Sequence, residues 1–124
     1  VRVTQRVDPR VLDAFFDRPP RAAIAFVDGE RIETVPASYH RRSGRHLVGV
    51  VRGEGAAPAP GSRAVLLIDD GRYWFELRAV TLRGRLAAVP DPPPEAGKEL
   101  VWLELVPEHV VAWDYGRLHE ESEP

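Results

Sequence analysis

Arg52 on one side, and Ser62 with Arg63 on the other, bracket the run GEGAAPAPG, a glycine- and proline-rich stretch that suits neither helix nor strand. Two guanidiniums, a hydroxyl and loop amides are thus offered at the two ends of one loop. Arg grips phosphate oxygens through a planar fork of N–H donors, so this set suits a phosphate clamp. Solvated loop residues would carry the same side chains, and the types alone leave both readings open.

Other chemistries find less support. His40, His46, His109 and His119 share no ligand spacing with one another or with acids, and no metal site is expected. Asp69 and Asp70 are explained by a turn rather than by acid/base work. No G-x-S-x-G elbow accompanies the Ser, His and Asp residues. No Gly-rich stretch follows a strand and opens a helix, which removes the dinucleotide and P-loop readings. Trp74, Trp102 and Trp113 are core or interface residues by type, although an indole can also wall a planar cofactor.

The composition narrows the partners. Seventeen basic residues against 19 acidic ones give a net charge of −2 with no dense basic block, so neither a nucleic-acid surface nor an anionic-membrane surface is expected. The apolar runs are too short to span a bilayer, and the opening VRVTQRVD is charged rather than signal-like, which points to a cytoplasmic protein. Without Cys there is neither a disulfide framework nor thiolate chemistry. At 124 residues the chain is expected to form a single domain over 1–124, with a charged, frayed tail at 117–124.

The elements that would position the loop are mostly strands. Asp8-Pro9 ahead of Val11, Leu12, Phe15 and Phe16 predicts a short helix with one apolar face, closed by Pro19-Pro20. Ala22–Val27 is an apolar strand that turns at Asp28-Gly29 into Arg31–His40, where Pro36 demands an edge or a bulge. Arg41–Gly44 is a turn, and Arg45–Val51 the next strand, in which Gly49 permits close approach of another backbone or a flat ligand. The longest feature is a hairpin over Ala64–Val89 with a predicted tight turn at Asp70-Gly71. In its second arm the apolar side chains change phase near Ala79 and Val80, which calls for a bulge or a bend. PDPPPEAGK then connects to two strands, Leu100–Val106 and His109–Trp113, separated at Pro107-Glu108. About seven strands and one helix favour an antiparallel barrel or sandwich.

The order of these segments resembles the pyridoxamine 5′-phosphate oxidase-like, FMN-binding split-barrel family. The features that carry it are a first strand ending in Asp28-Gly29, Val35-Pro36 on the second strand, Arg83-Gly84 within a long strand, and Pro107-x-x-Val110-x-x-Trp113-Asp114. They span roughly residues 11 to 118. The resemblance implies a mainly β fold, an antiparallel split barrel of about six to eight strands with one short N-terminal helix. It further implies a homodimer with FMN, or the deazaflavin F420, at the subunit interface.

Carried over residue by residue, the resemblance sets the flavin ring against Val35, Pro36, Ala37, Ser38, Val50 and Val51. Arg52, Ser62 and Arg63 then hold the phosphate, and Trp74 or Trp113 covers a face. The chain departs from the family at the phosphate: the usual Ser or Thr followed by Lys and Asn is replaced by RGEGAAPAPGSR, which has no lysine. The expected function is an FMN- or F420-binding oxidoreductase with a small-molecule substrate. The alternative is a cofactor-free dimeric split barrel serving as a binding or structural module. A lipocalin-like pocket would need more strands than the chain supplies.

Overall fold

Pro9 opens helix α1 (Pro9–Asp17), where a fixed φ and a missing N–H cost nothing. The helix presents Phe15 and Phe16 to the core, and both are buried. In the computed structural model, which describes residues 9–52, 57–70, 78–94 and 99–114, seven strands follow. They are β1 (Arg21–Asp28), β2 (Arg31–Pro36), β3 (Ser38–Arg42), β4 (Arg45–Val51), β5 (Arg63–Asp69), β6 (Arg78–Ala88) and β7 (Leu100–Asp114).

All pairings are antiparallel and form one sheet in the order β2-β1-β5-β6-β7-β4-β3. The two edge strands are consecutive in the chain and separated only by Ala37, whose N–H donates to the carbonyl of Ala22 on β1. The sheet therefore curls until its two edges approach each other, giving a half-barrel with α1 packed beside β3. Alternation places Ile24, Phe26, Leu66, Ile68, Val80, Leu82, Val48 and Val50 on the concave side, where they join Phe15 and Phe16 in one cluster.

The short turns follow the sequence closely. Ser43 (φ 51°) and Gly44 (φ 75°) both take positive φ between β3 and β4, the conformation a two-residue hairpin loop of matched twist requires. Pro36 ends edge strand β2, where its missing donor interrupts no interior ladder.

Four expectations are corrected. The β5–β6 hairpin exists, but Asp69 pairs with Ala79, and Asp70 donates its N–H to the Arg78 carbonyl at 3.1 Å. A turn closed at Asp70-Gly71 would have paired Asp69 with Arg72. Residues 71–77, including Trp74, lie outside the described residues. Asp70 instead holds the hairpin base, accepting from the Arg78 N–H at 3.1 Å and from its guanidinium at 2.9 Å.

The phase change at Ala79 and Val80 has no bulge beneath it, because pairing to β5 and to β7 runs through both positions without a shift. Both are simply buried, at 2% and 1% exposure, one on each face of the sheet. The bulge lies farther along and on the neighbouring strand. Arg83 pairs with His109 but Gly84 pairs with Pro107, so Glu108 is the extra residue. Pro107-Glu108 accordingly does not separate two strands: β7 is one strand of 15 residues. Lastly, Arg31–His40 is two strands, broken at Ala37.

The bulge resets the alternation of β7. Leu103 and Leu105 point into the core before it, and Val110 and Ala112 after it. It also brings two backbones together: a Cβ on Gly84 would lie 1.9 Å from the Val106 carbonyl oxygen and 2.9 Å from the Pro107 Cα. Backbone cannot yield as a flexible side chain can. Gly84→Ala is therefore expected to destabilise the fold by about 2–3 kcal/mol, the upper part of the overpacking range, read as a lowered urea midpoint at unchanged slope.

Candidate functional site

The strand register divides the sequence-derived site residues between two surfaces. Val35 is half-buried on edge strand β2 and, with Ala37, packs against the core. Pro36, opposite Ala23, is exposed, and Val50 faces the core. Ser38 pairs with Gly49, which in turn pairs with Trp102, so these three form one row across β3, β4 and β7. Val51, 68% exposed, follows on the same convex face opposite Leu100.

In this row the Trp102 indole lies on the backbone of Gly49. A Cβ built there would sit 2.9 Å from two atoms of the ring, which explains the strand glycine. The aromatic residue beside these strands is thus Trp102. On β7 the Trp113 backbone pairs with Ala79 of β6, and its side chain lies outside the described residues.

The arginines part company. The Arg52 N–H donates to the carbonyl of Glu99, just ahead of β7, whereas Arg63 pairs with Arg85, which pairs with Val106. The two levels are seven positions apart along β7, about 23 Å of extended strand. Within one protomer the register does not set Arg52 and Arg63 on a common phosphate. Ser62 is held in a turn, its N–H donating to Ala59 and its carbonyl accepting from Leu86.

Arg63 instead stands at a groove of about 370 Å³ lined by β1, β2, β5, β6 and β7 beside the bulge. The size lies within the range of small-molecule sites, about 300–1,000 Å³. Its apolar side is Ala25, Val65, Val27 and Ile32, the last 76% exposed. Its polar side is Arg63, Arg83, Glu108 and His109. Register explains the convergence: Ala25 pairs with Val65, Val65 with Arg83, and Arg83 with His109, one row across four strands.

Glu108 is drawn aside toward Arg85 at 3.8 Å. Arg63 and Arg83 make no ion pair among the described residues, so two unneutralised guanidiniums flank an apolar floor. Such a groove suits an anion attached to an apolar or planar body. Sequence reasoning reached Arg63 but missed Arg83 and His109. The available signal was the change of alternation across Pro107-Glu108, which marks a bulge as readily as a strand break. Among the described residues no group of His, Asp and Glu could hold a metal ion.

With this geometry in place, solved structures give the architecture a context. Protein Rv2991 of Mycobacterium tuberculosis, described as a conserved hypothetical protein, superposes with a TM-score of 0.69 at 14% identity, over 96% of this chain and 93% of that one. The FAD binding protein from Mycobacterium smegmatis gives 0.62 at 14% identity, over 89% and 98%. A Corynebacterium glutamicum protein provisionally named a pyridoxamine 5′-phosphate oxidase gives 0.59 at 9% identity, over 86% and 92%. The chain is a split barrel. At these identities the likeness is one of fold. No protein-family model matches the chain, and no curated protein sequence does.

The two close contacts differ in kind, and this is measurable. At Gly49 the obstruction is a side chain that can rotate, so Gly49→Ala is expected to cost about 1 kcal/mol, the lower end of the overpacking range. It should also shift tryptophan emission by moving the Trp102 ring, a shift absent when the substitution is made in a Trp102→Phe background. An unchanged spectrum in the single variant would remove the stacked geometry.

Proposed function

We propose that this chain is a flavin- or deazaflavin-binding oxidoreductase, with FMN as the first candidate, FAD and F420 as the others, and a small-molecule substrate. The observation that carries the reading is the groove beside the bulge, where Arg63 and Arg83, with no ion-pair partner among the described residues, stand beside an apolar floor. Similarity of fold to a protein described as FAD binding and to one provisionally named a pyridoxamine 5′-phosphate oxidase supports it.

The donor set fits the anionic half of such a cofactor: two guanidiniums and the His109 imidazole can meet phosphate oxygens. The Ala25, Val27 and Val65 floor keeps water from that contact and so strengthens it. When bound, the cofactor supplies hydride transfer at its ring. What the protein adds is orientation and shielding. The Ser38–Gly49–Trp102 row, with Val51 beside it, would give a ring an aromatic contact, but it crosses β3, β4 and the start of β7, away from the groove residues of that strand.

A cytoplasmic homodimer is part of this proposal. It would set the groove of one subunit against the Trp102 row of the other, supplying together what one protomer holds apart. A second reading, a cofactor-free dimeric module, draws support from the register that separates Arg52 from Arg63 and from the missing lysine.

The experiment is uptake of FMN, FAD and F420 by the purified chain, followed by absorbance after removal of free ligand. The account expects a retained band, and a loss of affinity of about 2–4 kcal/mol in Arg63→Ala/Arg83→Ala, the scale of two charge-assisted hydrogen bonds, with the assembly intact in sedimentation. A colourless protein after all three soaks would favour the module reading.

A further inference from the structure

Helix α1 is attached to the barrel through a compact polar and aromatic cluster. On β3, the Tyr39 hydroxyl lies 2.6 Å from Nδ1 of His46 on β4, and the two rings stack at 5.9 Å. Phe16 of α1 closes the cluster, edge-on to His46 at 5.2 Å and tilted against Tyr39 at 5.9 Å. Above it, Arg41 spans strand and helix: its guanidinium lies 5.3 Å from the Phe16 centroid and binds Asp17 at 2.6 Å and Asp13 at 3.3 Å. Arg78 over Phe15 adds a second cation–ring contact between sheet and helix, and the burial of Phe15 and Phe16 in the core completes the attachment.

The cluster has one titratable centre near neutrality. In the neutral tautomer with its proton on Nε2, Nδ1 accepts from the Tyr39 hydroxyl, whose own ionisation burial pushes far up. A second proton on His46 would fall on Nδ1, reverse that hydrogen bond and place a cation under Arg41. Burial, and next Arg41, hold His46 below its usual range. Glu104 on β7 acts the other way, but it is engaged by Arg45 at 2.6 Å. Asp13 and Asp17 are paired with Arg41, and Asp17 also opposes ionisation of Tyr39. Above the unfolded value of about 6.5 the docked state is fully favoured, and that preference is lost as pH falls below 6.5 toward the depressed docked-state value.

We propose that helix α1 is an acid-released clasp: protonation of His46 reverses its hydrogen bond with Tyr39 and sets a cation under Arg41, undocks α1 from β3 and β4, and uncovers the end of the barrel core that Phe15 and Phe16 close. This goes beyond the cofactor reading and does not depend on it, since none of these residues lines the groove.

The test is hydrogen exchange of the full chain at about pH 7.5 and about pH 5.5, corrected for intrinsic rates, a window above carboxylate titration. Protection of the α1 amides should fall at the lower pH by up to about tenfold, the ceiling set by working one pH unit below the ordinary histidine value, while β5 and β6 amides hold theirs. In His46→Gln the fall should vanish. Should that variant fail to fold, Tyr39→Phe, which removes the bond favouring the neutral ring, should shrink it. Asp17→Asn should lower protection equally at both pH values, leaving the ratio unchanged. Constant α1 protection in the wild-type chain, an equal fall in His46→Gln, or an undiminished fall in Tyr39→Phe would overturn the proposal.

Discussion

The close approach of Gly84 to Val106 and Pro107 is the constraint on which much of the barrel depends. A strand of 15 residues that kept one phase would send either Leu103 and Leu105 or Val110 and Ala112 to the convex face. One extra residue at Glu108 sends all four inward. The bulge fits only because β6 carries no side chain at position 84, where a Cβ would fall on the Val106 carbonyl. Pro107 suits the same place, since it has no N–H to leave unsatisfied in the disturbed ladder.

The convex surface owes its features to the same irregularity. The bulge turns Glu108 toward Arg85 and leaves His109 beside Arg83, so polar groups gather at the one level where the ladder is broken. Elsewhere on that face the cations are largely spoken for: Arg45 by Glu104, Arg21 by Asp69, and Arg42 by Asp91. These are mostly exposed pairs that contribute little stability each, but they neutralise charge locally. Arg63 and Arg83, which have no ion-pair partner among the described residues, stand out against that background.

Much of the fold was legible in the sequence because the information was local. Ser43-Gly44, Gly29 and Pro36 announce turns and an edge, the two phenylalanines announce the helix face, and the ordered segments gave the split barrel. What the sequence concealed was register. Asp70-Gly71 has the chemistry of a tight turn, yet Asp69 pairs with Ala79, a choice made by the alignment of Leu66 with Leu82 and Ile68 with Val80 in the core. Pro107 is punctuation by its chemistry and reads as a strand break, whereas the long ladder between β6 and β7 carries the strand through it. The site suffered for the same reason: Arg52 and Arg63 flank one loop in sequence, but the strands they border set them at different levels.

The central claim is that the groove built by the bulge is where an anionic, ring-bearing ligand is held. It is tested most directly by following backbone amide resonances of the chain as FMN is added. The account predicts saturable shifts at Arg63, Arg83, Gly84 and His109, which share one groove although they come from three separate strands. Shifts confined to residues elsewhere, or none at saturating FMN, would contradict it.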